Sequence, residues 1–392
     1  MKKLIALLII SFSIFAVGCS NINKKEDNSG LGDEGKLGET QGTGALTEAK
    51  DEGKGDLKEE DNKDKTPTEN EEASSNTIYE EVSSYTIKDL IGIKANEKYS
   101  YEGINNEYAE YVRYVDYIEG NKFQIRTNNS GTETVKVIEA TDEELRVVFK
   151  RNECYYRENF LKKPVLKSEV LLKMPLAVGN QWTLEDGGKR YISSIDKLVE
   201  TPLGQYECIE VTTENKNGMK DLAYYTPEVG LVKEVFDVGG MEATSTLKAI
   251  EKDARLNQVI RFYYPDNEAN FMEYKDVEIA FATNDITKVI LQNKFRSIPG
   301  GNRVMLKENV AINTLYLNDD GMVYLDLTKN FISEMANGTT GEYFAIQDLV
   351  NTLGGYYGVN KVYISLDGEK YSSGHILKDK WECFNVDLSK VK

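Results

Sequence analysis

The stretch Tyr111-Val112-Arg113-Tyr114-Val115-Asp116-Tyr117-Ile118 is eight residues of mostly aromatic and β-branched type. Such residues fit a pleated, half-buried surface, so this stretch predicts a β-strand. The turn residues Gly120-Asn121 follow it, and a second run, Phe123–Arg126, begins directly after the turn. Two strand-like runs joined by so short a turn predict an antiparallel hairpin.

The same pattern continues through most of residues 85–252. Further short runs are separated by turn residues, and no strong helical period appears among them. We therefore expect a β-rich antiparallel middle domain over residues 85–252, built as a curved sheet, a sandwich or a partial barrel. The other predicted strands are Thr134–Ile138, Leu145–Lys150, Arg190–Ile195, Tyr206–Thr213, Lys220–Tyr225, Leu231–Phe236 and Glu242–Ile250.

Tyrosines are frequent at the start of this domain. They would suit a groove that stacks sugars or holds an apolar ligand, but aromatic residues are also good strand formers that pack against their cross-strand neighbours. The second interpretation is favoured, because packing against cross-strand neighbours is the usual role of strand aromatics. The first stays open. The residues are Tyr99, Tyr101, Tyr108, Tyr111, Tyr114 and Tyr117.

Residues 256–392 combine strand and helix patterns. Strands are predicted at Val259–Tyr264 and Val277–Ala282, and a hairpin is predicted where Ala311–Asn318 and Met322–Leu327 flank Asp319-Asp320-Gly321. A further strand contains Val362, Ile364 and Leu366. With two helices between these strands, the sequence predicts an α+β domain in which both helices pack on one mixed sheet.

Both helices have predicted start and stop signals. Asn284-Asp285 is expected to cap the first, with Ile286, Val289 and Ile290 on its buried face, and the helix is expected to end before Ser297-Ile298-Pro299-Gly300-Gly301. Thr339 and Glu342 fit a capping box for the second, which Gly354-Gly355 should end. Its expected core residues are Ile346, Leu349, Val350 and Leu353.

The order of several phrases in this C-terminal part resembles the GerMN ("germane") domain of sporulation and spore-germination proteins. The resemblance covers nearly all of residues 256–370, and one copy is visible. It implies an extracytoplasmic domain related to ring-building modules of envelope assemblies, and it offers no catalytic residue. The phrases are Ile260-Arg261-Phe262-Tyr263-Tyr264, Pro299-Gly300-Gly301, Val323-Tyr324-Leu325-Asp326-Leu327-Thr328-Lys329-Asn330-Phe331, Leu349-Val350-Asn351-Thr352-Leu353 and Val362-Tyr363-Ile364-Ser365-Leu366-Asp367-Gly368.

The N-terminus has the pattern of a lipoprotein signal peptide, residues 1–18. Lys2 and Lys3 precede a 14-residue apolar run, Leu4–Val17. This run is shorter than the about 20 residues that a spanning helix needs. It ends in Ala16-Val17-Gly18-Cys19-Ser20, which resembles the lipobox of bacterial lipoproteins. The resemblance implies cleavage before Cys19 and its lipidation, so that membrane lipid, including a palmitate chain, anchors the protein at the extracytoplasmic face of the cell membrane.

Residues 19–80 are expected to form a lipid-anchored disordered acidic linker. Residues 20–80 hold 17 acidic and 8 basic side chains, and Tyr79 is their first aromatic residue. Such a composition cannot bury enough apolar surface to offset the loss of chain entropy. The whole chain carries 65 acidic and 48 basic residues, a formal net charge of −17. Because this charge repels phosphate backbones, nucleic acid is not expected as a partner.

The sequence gives few signs of chemistry. Its single histidine, His375, lies in an expected exposed loop, and no nucleophile elbow, phosphate loop, His-Glu-x-x-His motif or calcium loop is present. Asp326 and Asp367 end strands and would serve as binding or metal ligands, but a pre-helix residue and a turn aspartate are the favoured roles. Cys154 and Cys208 would either pair or stay free and buried, the latter being favoured. We expect no catalytic residue, no cofactor and no bound metal.

Three functions remain open on these grounds. The leading hypothesis is a non-enzymatic cell-envelope lipoprotein that binds or assembles with an envelope protein or the cell wall, in sporulation or spore germination. The second is a binding protein for a small apolar or glycan ligand in the tyrosine-rich β domain. The third is a cell-wall hydrolase of unrecognised type, which two converging buried carboxylates would favour.

Replacing Cys19 tests the lipid anchor. We expect Cys19→Ala to move the protein out of the detergent phase in a phase-partition assay, because two acyl chains bind a membrane far more firmly than none. Retention of the variant in the detergent phase would instead favour an uncleaved signal helix.

Overall fold

The computed structural model describes residues 82–299, 304–335 and 338–392. Cys19, the predicted signal peptide and the predicted linker up to residue 80 lie outside these residues. The bounds given below refer to the described residues.

The predicted β-rich domain is a single antiparallel sheet of twelve strands. The strands in chain order are β1 (Lys98–Ile104), β2 (Tyr111–Glu119), β3 (Lys122–Asn128), β4 (Glu133–Ala140), β5 (Glu144–Asn152), β6 (Glu169–Lys173), β7 (Gln181–Thr183), β8 (Lys189–Thr201), β9 (Gly204–Glu214), β10 (Lys220–Thr226), β11 (Gly230–Asp237) and β12 (Glu242–Glu251). Their order in the sheet is β6-β5-β4-β3-β2-β1-β12-β11-β10-β9-β8-β7. The antiparallel arrangement is confirmed, and β1, β6 and β7 are additional to the predicted strands.

The sheet curls so that its two edge strands meet. Trp182 Nε1 in β7 and Arg190 Nη1 in β8 both donate hydrogen bonds to the Val170 carbonyl in β6, at 3.1 and 2.6 Å. Arg190 also pairs with Glu169 at 2.9 Å. A short 3-10 helix, Ile87–Leu90, buries both of its terminal side chains in the core that the curled sheet encloses.

The C-terminal part is an α+β structure, as predicted. A hairpin of β13 (Leu256–Pro265) and β14 (Met272–Phe281) precedes α1 (Thr287–Phe295). The following elements are β15 (Ile312–Leu317), β16 (Val323–Leu327), α2 (Asn330–Met335), α3 (Gly338–Tyr357), β17 (Lys361–Leu366), β18 (Glu369–Lys370) and β19 (Phe384–Asn385). β15 to β19 form a mixed sheet, in which β16 and β17 are parallel because α2 and α3 cross over between them.

The predicted buried face of the first helix is wrong for two of its three residues. Ile286 and Val289 are exposed, Ile290 is half-buried against the core as predicted, and the buried residues of α1 are Thr287, Leu291 and Phe295. The helix begins at Thr287 and has no side-chain cap. The predicted cap residues are engaged elsewhere, since the Asn284 side chain accepts a hydrogen bond from the Ile118 backbone N–H.

The predicted start and stop signals of the second helix are also wrong, because both residues make contacts with distant parts of the chain. Glu342 is fully buried and accepts a hydrogen bond from the Tyr371 hydroxyl at 2.7 Å, so it forms no capping box with Thr339. The helix continues past Gly354 to Tyr357. A Cβ at Gly354 would clash with the Val386 side chain, so this glycine serves the close packing of the C-terminal segment. The predicted core residues Ile346, Leu349, Val350 and Leu353 are buried.

A β-bulge in β2 directs its side chains to two different cores. The pairing with β3 shifts between Val115 and Tyr117, so that one residue is inserted at Asp116. Because side chains alternate along a strand, the insertion moves Tyr117 to the face opposite Val115. Val115 packs in the core inside the curled sheet, whereas Tyr117 packs with residues of the C-terminal part such as Phe281.

Asp116, at this bulge, lies between two buried arginines. Its Oδ2 accepts a hydrogen bond from Arg126 Nη2 at 3.1 Å, and its backbone carbonyl accepts one from Arg157 Nη2 at 2.7 Å. Arg157 Nη2 also donates to the Ala282 carbonyl at 3.0 Å, beyond the end of β14. All three side chains are at most 1% exposed. The cluster therefore joins the twelve-stranded sheet to the C-terminal part.

The predicted division into residues 85–252 and 256–392 falls between β12 and β13. One hydrophobic cluster crosses this division, because Val135, Val148 and Phe160 pack with Phe295 and Leu349. All described residues belong to one compact unit. That the two parts fold separately stays a prediction.

Asp116→Ala tests the importance of this cluster. We expect the free energy of unfolding to fall by about 3 to 5 kcal/mol, because the variant removes a buried carboxylate from between two buried guanidinium groups, of which only Arg126 keeps another carboxylate, Glu133. Urea denaturation measures the change. The matched control is Asp276→Ala, which removes the partner of Arg261 at a site 45% exposed and should cost no more than about 1 kcal/mol. Equal losses in the two variants would contradict this role of Asp116.

Candidate functional site

The curled sheet encloses a cavity of about 300 Å³. This volume is at the lower end of the range for small-molecule pockets. Strands β2 to β5 and β10 to β11 supply most of its wall, and the segment around the 3-10 helix supplies Leu90, Ile91 and Ile93. The other lining residues are Tyr108, Tyr111, Arg113, Ile125, Thr127, Asn129, Thr132, Thr134, Lys136, Ile138, Leu145, Val147, Leu171, Tyr225, Leu231, Glu234 and Phe236.

Arg113 is the most unusual residue of this wall. It is only 5% exposed, and its Nε and Nη2 are buried without a hydrogen-bond partner in the described part of the chain. Its guanidinium carbon lies 4.1 Å from the centre of the Tyr99 ring and 5.7 Å from that of Tyr101. Burial acts to lower the pKa of Arg113, but the surrounding tyrosine oxygens and Glu234 outweigh it and raise the pKa. The group therefore carries its positive charge inside the sheet.

Tyrosines and one carboxylate complete this end of the cavity. The Tyr101 and Tyr111 rings stack with centroids 4.3 Å apart. The Tyr111 hydroxyl donates to Glu234 Oε2 at 3.1 Å, and the Tyr101 hydroxyl donates to the Leu231 carbonyl at 2.8 Å. Burial raises the pKa of Tyr111 well above its ordinary value, so this hydroxyl stays a hydrogen-bond donor at neutral pH.

The predicted tyrosine group therefore divides into three sets. Tyr108 and Tyr111 line the cavity, and Tyr99 and Tyr101 are packed behind Arg113. The remaining two, Tyr114 and Tyr117, contact the hydrophobic cluster on the other face of the sheet. The packing interpretation thus holds for four of the six, and ligand binding by Tyr108 and Tyr111 stays a prediction. Arg113 carries no local sequence signal, because its burial depends on strands distant in the chain.

The structure brings Asp326 and Asp367 together. The Asn313 amide donates to both, at 2.9 Å to Asp326 Oδ2 and 3.1 Å to Asp367 Oδ1. Asp326 Oδ1 also accepts hydrogen bonds from Ser365 Oγ at 2.5 Å and the Gly368 N–H at 2.9 Å. These contacts order the turn after β17, which agrees with the favoured structural roles. No group of three or more metal-ligating side chains occurs among residues 82–299, 304–335 and 338–392.

A row of aromatic rings crosses the face of the mixed sheet opposite its helices. Tyr316, Tyr324 and Tyr363 are register partners on β15, β16 and β17, and adjacent centroids lie 5.4 and 5.1 Å apart. Trp381 extends the row, 5.4 Å from Tyr363. It is 55% exposed and has a backbone φ of +71°, a conformation that is rare for a bulky residue. We call these four residues the aromatic row.

The remaining candidates are structural or exposed. Cys154 and Cys208 are free and buried in different hydrophobic clusters. Burial raises the pKa of Cys208 to about 12, which makes this thiol unreactive near neutral pH. Cys383 is also free. His375 is exposed, and its backbone N–H donates to Ser373 Oγ, in agreement with the predicted loop.

Comparison with known proteins identifies the C-terminal domain. Residues 261–372 match the Germane family model, described as sporulation and spore germination. The chain therefore carries a Germane, or GerMN-related, domain, which begins in β13 and includes the aromatic-row residues Tyr316, Tyr324 and Tyr363. No characterised protein in a curated set matches the chain.

Solved structures give remote similarities. The tandem GerMN domains of the sporulation protein GerM from Bacillus subtilis align with a TM-score of 0.24 and 16% identity, over 32% of this chain and 46% of that one. The first GerMN domain of the same protein aligns with a TM-score of 0.23 and 16% identity, over 32% of this chain and 97% of that one. A protein with a YmcC-like fold from Bacteroides fragilis aligns with a TM-score of 0.24 and 12% identity, over 41% of this chain and 97% of that one.

Asp348→Asn tests a buried acid in the Germane domain. Asp348 is 2% exposed, its Oδ1 has no hydrogen-bond partner in the described residues, and burial raises its pKa well above the ordinary value. Because the folded state holds this proton more tightly than the unfolded chain, Asp348 lowers stability as the pH rises above its unfolded pKa, about 3.9.

We therefore expect the variant to gain stability relative to the wild type as the pH rises from 4.5 to neutrality, with a slope of up to about 1.4 kcal/mol per pH unit. Urea denaturation across this range measures it. Asp379→Asn, at a site 89% exposed, is the control. A difference between variant and wild type that does not change with pH would show that Asp348 does not titrate on unfolding.

Proposed function

We propose that this chain is a non-enzymatic lipoprotein at the extracytoplasmic face of the cell membrane. Its Germane domain binds an envelope protein or the cell wall during sporulation or spore germination. The observation that carries the proposal is the match of residues 261–372 to the Germane family, in a chain whose first 20 residues have the lipobox pattern.

The anchor in this proposal is diacylated Cys19, with palmitate among its acyl chains. No described helix is long and apolar enough to cross a membrane. A linker of about 60 residues with flexible-chain statistics would span roughly 40 Å. Such a linker would let the folded part search a layer of envelope above the membrane.

The aromatic row supports a binding role for the Germane domain. Exposed tryptophan and tyrosine side chains supply large contact areas at a small cost in conformational entropy, and they are frequent among residues that dominate binding energy. Tyr316 and Trp381 are both exposed, and the hydroxyl of Tyr324 donates to Asp320 at 2.8 Å. The unusual backbone conformation of Trp381 is also of the kind that clusters at functional sites.

Trp381→Ala tests this role. We expect the melting temperature to change little, because more than half of the side chain is exposed. Capture of the envelope partner from host membranes, by crosslinking and affinity purification, should fall at least about tenfold, the value of a modest hot-spot residue. The control is Leu377→Ala, at a residue 67% exposed in the same segment. Undiminished capture by the tryptophan variant would remove the aromatic row from the proposal.

A second candidate function is favoured by the cavity in the twelve-stranded sheet. Its volume and its mixed lining, with apolar side chains on one part and polar groups on another, fit the binding of a small ligand. In this case the Germane domain would serve location or assembly, and the β-rich domain would carry the ligand. The hydrolase hypothesis gains no such support, because Asp326 and Asp367 already accept the hydrogen bonds that order a turn.

A further inference from the structure

Three arginines are buried in the twelve-stranded sheet and the loop after β5, and they differ in one respect. Arg126 donates to Asp116, Glu133 and backbone carbonyls, and Arg157 donates to carbonyls on both sides of the shared core. Arg113 is buried to a similar degree, but its Nε and Nη2 donate to no described residue. A buried cation without acceptors costs free energy unless something else supplies them. The Tyr99 and Tyr101 rings lie against the Arg113 guanidinium, but packing against rings leaves its Nε and Nη2 donors without acceptors in the described residues.

The cavity supplies the space for a missing acceptor. Arg113 lines it, and a second polar atom on the same wall, Thr132 Oγ1, is also buried without a hydrogen-bond partner in the described residues. Three charged residues line the cavity, namely Arg113, Lys136 and Glu234. Glu234 already accepts the Tyr111 hydroxyl. The polar part of the cavity thus has an excess of one positive charge and favours an anion.

A large part of the remaining wall is apolar, beside polar residues such as Thr127, Asn129 and Thr134. Side chains from the 3-10 helix region and from β3 to β5 form this apolar part, and none of them carries a charge. A ligand that fills this space must bury hydrocarbon against it, because apolar surface removed from water is the main source of affinity in such pockets. The residues are Leu90, Ile91, Ile93, Ile125, Ile138, Leu145 and Val147.

We propose that this cavity binds a small amphipathic carboxylate, whose carboxylate accepts hydrogen bonds from the Arg113 guanidinium and whose hydrocarbon part lies against the apolar wall. A planar guanidinium matches a carboxylate in charge and geometry, and a single anchoring arginine suits a single negative charge. This proposal rests on the second candidate function and names its ligand class.

Calorimetric titration with three probes of equal chain length tests the ligand class. The probes are octanoate, octanol and octylammonium, added to the full-length chain carrying Cys19→Ala so that purification needs no detergent. We expect octanoate to bind at least tenfold more tightly than octanol, and octylammonium more weakly than both. N-acetylglucosamine, as a probe of the glycan alternative, should not bind.

Variants of the lining residues test the assignment of the anchor. Arg113→Met should weaken octanoate binding at least tenfold, leave octanol binding nearly unchanged and not lower the melting temperature, since it replaces an unpaired buried cation with an apolar side chain. Glu234→Gln should strengthen octanoate binding several-fold, because it removes a negative charge from the same cavity. Arg146→Met, at an arginine outside the cavity lining that pairs with Glu139 at 2.7 Å, is the control and should change neither affinity.

The outcomes separate this proposal from the function on which it rests. Equal affinities for octanoate and octanol would overturn the anionic ligand and leave a cavity for apolar ligands. Binding of N-acetylglucosamine alone would also overturn it, in favour of a glycan site. If none of the probes binds, both the anionic ligand and the second candidate function fail. If Arg113→Met does not fold, the Glu234→Gln variant and the probe series on the unsubstituted protein still test whether the cavity prefers a carboxylate.

Discussion

The insertion of one residue at Asp116 is the constraint on which the rest of the structure depends. Without it, Tyr117 would point into the curled sheet with Val115, and β2 would serve one core. With it, β2 contributes Arg113 and Val115 to the inner face, and Tyr117 to the core shared with the C-terminal part. One strand thereby connects the cavity to the junction between the two parts of the chain.

Charge at this junction is matched by groups from distant parts of the sequence. Arg126 and Arg157 are fully buried, yet carboxylates and backbone carbonyls of the strands and of the loop after β5 accept their hydrogen bonds. Arg157 also reaches the carbonyl of Ala282, 125 residues away in sequence. A buried guanidinium with several acceptors is directional, so it fixes the orientation of the elements that supply them. Hydrophobic packing alone would allow more freedom at this junction.

The two candidate surfaces use arginine and aromatic residues in different ways. In the cavity, the rings of Tyr99 and Tyr101 lie against a cation whose Nε and Nη2 have no hydrogen-bond acceptor in the described residues, so the polar end is prepared for an anion. In the C-terminal part, the tyrosines of the aromatic row stack or tilt against one another across three strands, and Trp381 beside them is exposed to solvent. The first arrangement suits a small molecule, and the second suits a macromolecular surface.

Local sequence patterns were enough to predict most strands, the hairpin around Asp319-Asp320-Gly321, the buried positions of α3 and the Germane domain. These features follow from the alternation of apolar residues and from turn residues, which act over a few positions. The sequence also holds the lipobox pattern around Cys19, which lies outside the described residues.

Other features depend on contacts between residues that are distant in the chain. Glu342 looked like a capping residue until Tyr371 supplied its hydrogen-bond partner, and Gly354 looked like a helix end until Val386 packed against it. The burial of Arg113 follows from the curl of the sheet, which brings distant strands around it. In each case the deciding contact joins residues distant in the chain. Local patterns carry no information about such contacts, because charge burial and close packing depend on which elements meet in space.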